Sequence, residues 1–310
     1  MAQGRVEAPP GGPAAGRRGR PALPRGGVYV LPAGLLGLGL IVYPLAYSLW
    51  VSLHDLDLTL GAWRFVGLDN YAEALRDPGF WRSVRNTLHI ALPSLALEFL
   101  IGLALALALD RVRFRFRALL IGLLVAPMMI PGAAAALAFA LLYVQRYGPL
   151  DALLSLVARR PVEVEWLSSV SIAPYSVVLV EVWQKSSFVM LFLLAGLSVI
   201  PDELYEAARV DGASGRQAFR HVTLPLLRTT IAAVLVVRLI DLLKMFDLPY
   251  ILTGGGPGVA TEPVSMHIVQ VGFQFFRIGA GAAQSFLLFA GVGGLVLLLL
   301  RLVRPQPVAR

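Results

Sequence analysis

Pro201-Asp-Glu-Leu-Tyr-Glu-Ala-Ala-Arg-Val-Asp-Gly-Ala-Ser-Gly-Arg-Gln-Ala-Phe-Arg-His-Val-Thr-Leu-Pro225 is a polar island between two long apolar runs, and its order of residues decides how the chain is organised. Pro201 suits the first turn of a helix, Asp202 and Glu203 suit its positive end, and Asp211-Gly212 supplies the exit, so the spacing predicts a helix over about 201–210. Ser214 followed by Gln217 has the form of a capping box and opens a second short helix that must stop before Pro225. Two short helices joined at Gly212 would lie at a membrane surface. Ala207 and Ala208 are small enough for a partner to come close, and Glu206 offers that partner a charge. A merely solvated connection would explain the charges but not this order.

Outward from this island the chain is strongly apolar: 57% of its 310 residues are hydrophobic, 15% are charged, and the mean hydropathy is +0.72. A soluble surface cannot carry that composition. Crossing a hydrocarbon core takes about 20 apolar residues, and six candidates stand at roughly 28–52, 86–109, 118–145, 172–198, 228–252 and 279–303. The expectation is an all-α polytopic membrane protein with six transmembrane helices. Residues 1–27, rich in glycine, proline and arginine, read as a disordered tail, and 304–310 as a second short tail. Prolines 32, 44, 93, 127 and 131 interrupt the spans, which a membrane tolerates only where neighbouring groups satisfy the freed backbone. The small residues of Gly132–Ala136 and Gly279–Ala283 would let backbones approach closely.

Charge sets the orientation. With both termini cytoplasmic, the inside segments 1–27, 110–117, 199–228 and 301–310 hold 16 arginines, whereas the outside segments 53–85, 146–171 and 251–278 hold eight, offset by nine acids. That bias follows the positive-inside rule. The net charge of +8 therefore reads as membrane lipid contact, and no nucleic-acid partner is expected. The absence of cysteine excludes disulfides, thiolate nucleophiles and iron–sulfur clusters. Lys185 follows Gln184 and Lys244 follows Leu243, so no phosphate-binding P-loop exists, and the four scattered histidines form no metal-ligand pair. Neither a catalytic residue nor a catalytic metal is expected.

Within the spans fall Glu98, Glu181, Lys185, Arg238 and Asp241, with Lys244 and Asp247 nearer the end of the fifth. Each is costly in hydrocarbon and should face the bundle interior or a water-filled cavity. Arg238, Asp241 and Lys244 recur at three-residue steps on one side of a helix, so internal pairing and solute contact both stay open. Lys185 and Asp241 lie on the two spans flanking the polar island, which makes them better solute-path candidates than Glu98. Trp183 and Tyr250 add flat faces that can stack on a sugar ring or anchor at a membrane interface.

Glu206-Ala207-Ala208, three residues, Gly212, nine residues, Val222, one residue and Leu224-Pro225 resemble the "EAA" loop of the membrane subunits of binding-protein-dependent ABC importers, with Val222 in place of the usual isoleucine. Phe65-Val-Gly-Leu-Asp-Asn-Tyr71, Asp77-Pro-Gly-Phe-Trp81, Asn86-Thr87, Ala195-Gly-Leu197, Phe246-Asp247 and Thr253-Gly-Gly-Gly-Pro257 resemble the carbohydrate branch, specifically the compact six-span members among the maltose-type and glycerol-phosphate-type first permeases. The resemblance covers about residues 28–303. It implies the type I importer permease fold, multi-pass in a bacterial or archaeal plasma membrane. It also implies a heterodimer with a second permease, two ATPase subunits that bind ATP and magnesium, and an extracytoplasmic solute-binding protein. In that family the EAA loop, here Glu206, Ala207, Ala208, Asp211, Gly212, Leu224 and Pro225, docks on the ATPase. A sugar, a polyol and glycerol phosphate all remain open as the solute. The rivals are an ion-gradient-driven transporter, which leaves the loop spacing unexplained, and a non-transporting membrane scaffold.

Overall fold

The computed structural model describes residues 27–57, 61–111 and 116–302, so the expected tails before residue 27 and after 302, together with Arg113 and Arg115, lie outside the described residues. The chain divides into two units, Met1–Ser48 and Leu49–Arg310. In the first, the described residues form the body of helix α1 (Gly27–Ser52), which carries Pro32 and Pro44.

The second unit opens with an antiparallel hairpin, β1 (His54–Asp57) and β2 (Ala62–Phe65), followed by α2 (Asp69–Arg76) and the long α3 (Pro78–Asp110). Asp77 starts α3 by accepting from the amides of Gly79 at 2.8 Å and Phe80 at 3.3 Å, and Pro78 occupies the first turn, where no amide is needed. Two shorter helices follow, α4 (Arg117–Met129) and α5 (Gly132–Leu142), then α6 (Pro149–Ala158) and the buried central α7 (Ala173–Leu197). The polar island folds as α8 (Asp202–Val210), α9 (Gly215–Ala218) and a π-turn at Phe219–Thr223 that runs into α10 (Leu224–Leu243). Helices α11 (Asp247–Thr253) and α12 (Val264–Val269), a second π-turn at Gln270–Gln274, and α13 (Ile278–Leu302) complete the described chain.

Among the described residues four helices are long and apolar enough to cross a membrane, in α1, α3, α7 and α13, with a fifth if α4 and α5 count as one broken span. Helix α10 is not among them, because Arg228, Arg238 and Asp241 fall within its 20 residues. The span expected at 118–145, with Pro127 and Pro131 inside it, is sharply bent, and the one expected at 228–252 is broken into α10 and α11. Between α4 and α5 the axis turns by 92° at Ile130-Pro131, where the carbonyl of Ile130 is freed and the buried Gln184 of α7 donates to it at 2.6 Å. Between α10 and α11, Pro249 has no amide to return to the carbonyl of Met245, and Ser265 Oγ donates to that oxygen instead. Both breaks are thus satisfied by side chains from elsewhere in the bundle, the condition for broken helices at membrane depth.

Two apolar clusters hold the unit together. One joins Ile90, Ala136, Phe139, Val177, Val180, Leu242 and Leu252 across α3, α5, α7, α10 and α11; the other joins Ala106, Met190, Leu193, Leu197, Leu227 and Val234 across α3, α7 and α10. The close approach expected of the small-residue stretches is met at Gly279 and Gly281, with Ala280 and Ala283 buried, whereas in Gly132–Ala136 only Ala135 and Ala136 are buried and Gly132 faces open space. Gly279 is the tightest: a Cβ there would lie 2.0 Å from the carbonyl oxygen of His54. Gly279→Ala is therefore expected to force the hairpin and α13 apart and to lower stability by about 1–3 kcal/mol, the usual cost of overpacking. Thermal unfolding of the purified protein checks it.

Candidate functional site

The polar island is exposed and its spacing has a chemical cause. The amide of Ala213 donates to the carbonyl of Ala208 at 2.9 Å and that of Gly212 to Arg209 at 3.1 Å, the paired bonds of a Schellman closure, with Gly212 at φ +79°. The four-residue step from Ala208 to Gly212 is the distance this helix end requires. Ser214 and Gln217 form the expected capping box, the Gln217 side chain accepting from the Ser214 amide at 2.7 Å. Glu206, Ala207 and Asp211 are exposed and Ala208 is half-buried. Tyr205 is hydrogen-bonded to Thr223 at 3.0 Å, which ties α8 to the base of α10.

One expectation fails at this loop. The second helix does not stop before Pro225; it widens into the π-turn, where the amide of Leu224 reaches back to Phe219, and continues as α10 with Pro225 in its first turn. Widening accommodates a proline that has no amide to return. Leu224 and Pro225 are both exposed there.

Midway along the bundle, between the two apolar clusters, the intramembrane charges meet around Arg238. Its Nε donates to Glu98 Oε2 at 2.7 Å and its Nη2 to Glu98 Oε1 at 3.0 Å and to Glu181 Oε1 at 2.6 Å, while Nη1 lies 3.4 Å from Asp241 Oδ2. Arg238 is 2% exposed and Glu98 fully buried. Asp241 Oδ1 then pairs with Lys244 at 3.1 Å, so the row on α10 runs from a sealed guanidinium to an exposed ammonium. A planar guanidinium that binds one carboxylate through two nitrogens and a second through the same fork joins α3, α7 and α10 at one depth.

The sequence-predicted solute-path residues divide. Asp241 and Lys244 belong to this row, whereas among the described residues no ion pair joins Lys185 to Asp241. Glu98, ranked below them as a solute-path candidate, is fully buried and is the principal partner of Arg238. Only the rarity of intramembrane charge could have signalled this, since spacing along the sequence does not pair positions 140 residues apart. Trp183 packs on Phe139 with ring centres 5.1 Å apart, and Tyr250 stacks on Phe246 at 5.1 Å. Both, with Asp247, keep exposed surface on this subunit.

The quoted motifs also find each other. Asn86 donates to the carbonyl of Val259 at 2.6 Å, and Thr87 Oγ1 accepts from the amide of Val264 at 2.9 Å, so Asn86-Thr87 holds the segment that follows Thr253-Gly-Gly-Gly-Pro257. Beside it His267 faces two carboxylates: Nδ1 lies 2.9 Å from Glu262 Oε1, and Nε2 is 3.4 Å from Asp77 Oδ2, an ion-pair distance rather than a hydrogen bond. A cleft of about 500 Å³ adjoins it, lined also by Glu73, Arg76 and Arg277, and a smaller one carries Arg82. The Glu262 hydrogen bond, opposed by burial and helped by the charge of Asp77, raises the His267 pKa above its ordinary value. Stability from this contact is complete below about pH 6.5, where an unfolded histidine is already protonated, and is lost as pH rises through the higher folded value. The melting temperature should fall across that window, and His267→Gln should remove this component of the fall.

Residues 98–304 match the family model described as "binding-protein-dependent transport system inner membrane component". The chain belongs to that family. This permease is 36% identical over 282 residues to the trehalose/maltose transport system permease protein MalF of Thermococcus litoralis, covering 90% of this chain and 93% of the relative. It is 36% identical over 276 residues to the sulfoquinovosyl glycerol transport system permease protein SmoG of Agrobacterium fabrum, covering 89% of each. In fold, the permease is similar to a chain in the crystal structure of a bacterial ABC transporter involved in the import of the acidic polysaccharide alginate. The TM-score is 0.78 at 22% identity, over 89% of this chain and 94% of that one. The same fold recurs, at a TM-score of 0.77, in that transporter's complex with an alginate pentasaccharide-bound periplasmic protein.

Proposed function

We propose that this permease is one of two membrane-spanning subunits of an ATP-driven, binding-protein-dependent importer of a sugar or sugar-like solute. The observation that carries the reading is the exposed α8–Gly212–α9 loop, whose EAA-type spacing is built into a capped helix pair rooted on α10. Partner ATPases hydrolyse ATP and dock on this loop; a second permease completes the pore, and a solute-binding protein delivers cargo. The chain itself contributes no catalytic residue, cofactor or metal. Alternating access moves the loop with α7 and α10, between which it is strung, and these helices carry the Arg238 cluster that ties them to α3. Trp183, Lys185, Asp241, Lys244, Asp247 and Tyr250 remain the solute-path candidates. The sugar class is favoured by the cargo named for the relatives and by the available faces of Trp183 and Tyr250.

The six spans of this reading are α1, α3, the bent α4–α5 pair, α7, α10 with α11, and α13, with both termini cytoplasmic. A reporter fused after Arg117 or at Gly215 should read as cytoplasmic, and one at Arg64 or Gly256 as outside. Proteolysis at Gly215 from outside intact cells would reject this topology. The function is tested by reconstituting the chain with candidate partners and measuring uptake. ATP-dependent uptake is expected; uptake driven by an ion gradient alone would instead favour a secondary transporter, and no uptake with any partner set would favour a scaffold.

A further inference from the structure

The hairpin that precedes α2 has two chemically different faces. Directly opposed residues share a face and successive residues alternate. His54 opposite Phe65 and Leu56 opposite Trp63 therefore make one face, and Asp55, Asp57 and Arg64 belong to the other. Ring positions agree: Trp63 lies 5.1 Å from Trp50 and 6.2 Å from His54, and Phe65 stands edge-on to His54 at 5.3 Å. The backbone of Asp57 forms an isolated antiparallel bridge with that of Arg277, whose side chain donates to Glu73 at 2.6 Å. The aromatic face is open, with Trp63 53% and Phe65 67% exposed.

The position of this face along the molecule is fixed by α13. Arg277 immediately precedes Ile278, the first residue of that apolar helix, and the carbonyl of His54 lies against Gly279 in its first turn. A membrane-crossing helix places its charged flank at the edge of the hydrocarbon. The hairpin therefore lies level with that edge. Tryptophan favours this zone, where one end of the ring is apolar and the other wet. The strand-edge backbone groups of the hairpin beyond the Asp57–Arg277 bridge also suit a hydrated boundary and not the hydrocarbon, which cannot satisfy them.

We propose that the aromatic face of β1 and β2 is seated in the lipid headgroup–acyl boundary as an interfacial anchor, with Asp55, Asp57 and Arg64 turned to water and to the base of α13. Lipid is the occupant because the face is continuous with the start of an apolar span. The inference rests only on α13 crossing the membrane, so a failure of ATP-driven uptake would leave its test untouched.

The chain has no cysteine, so Trp63→Cys, Arg64→Cys and Phe65→Cys each give one spin-labelling site in the full-length protein. After reconstitution in vesicles of palmitoyl-oleoyl phosphatidylethanolamine and phosphatidylglycerol in equal parts, collisions with oxygen and with a water-soluble nickel chelate are read at each site. Oxygen should dominate several-fold at 63 and 65, and the ratio should invert at 64. Nickel dominating at all three sites would mean a solvated hairpin and overturn the proposal. Low collision with both reagents at 63 and 65 would mean a protein partner and overturn it equally. Should a labelled variant fail to fold, bromolipid quenching of tryptophan fluorescence reads the same contact. Trp63→Phe should lose a component quenched by bromine near the headgroups, and unchanged quenching would refute the anchor.

Discussion

Arg238→Met is expected to be among the most destabilising single changes in the chain, at about 3–5 kcal/mol, because it leaves buried carboxylates without their cation. Glu98 would lose both of its close bonds and Glu181 its 2.6 Å contact. Folded yield in detergent and the melting temperature should both collapse. The triple change Glu98→Gln, Glu181→Gln, Arg238→Met removes the charges together and should recover most of the loss, since neutral groups of similar volume often replace a buried ion cluster without penalty. Wild-type stability in Arg238→Met alone would show that the cluster does not hold α3, α7 and α10 together.

Gly212→Asp should insert and fold yet lose solute uptake to background, with Gly212→Val at least as severe. Nothing lies within 4 Å of a Cβ at Gly212, so the change creates no clash; the damage comes from φ +79°, which costs a residue with a side chain about 1–3 kcal/mol. That strain falls on the closure of α8, the surface proposed to meet the ATPase. Glu206→Lys should give the same loss without strain, by opposing a complementary group on the partner. Uptake and ATPase recruitment measured side by side decide it: normal values of both in Gly212→Asp would rule out a coupling role for the loop.

Local chemistry was readable from the sequence wherever it was written into adjacent residues. Ser214 and Gln217, or Asp211 and Gly212, carry their geometry within four positions, and the structure places them as the spacing predicts. Proline was the ambiguous sign. Pro225 reads as a stop, yet a π-turn lets a helix pass through it; Pro131 reads as a tolerated interruption, yet it and Pro249 accompany breaks whose freed carbonyls are met by Gln184 and Ser265. Those partners lie on other helices, and nothing local announces them. The same reason hid Glu98: a buried charge advertises that it needs a counterion but not which one. The aromatic hairpin was invisible as a unit because its four-residue strands are too short to show a period.

The two sides of the polar island are attached differently. From α7 the chain leaves through the non-helical turn at Ser198–Pro201, whereas toward α10 it runs as unbroken helix from Gly215 through the π-turn. A force applied to α8 is therefore absorbed as slack on one side and delivered as torque on the other, through Tyr205 and Thr223 into the root of α10. Fifteen residues on, about 22 Å along the axis at the helical rise, that shaft carries Arg238. In the proposed importer the loop would work as a crank with one loose bearing, and α10 rather than α7 would be the axle carrying its motion to the middle of the bundle.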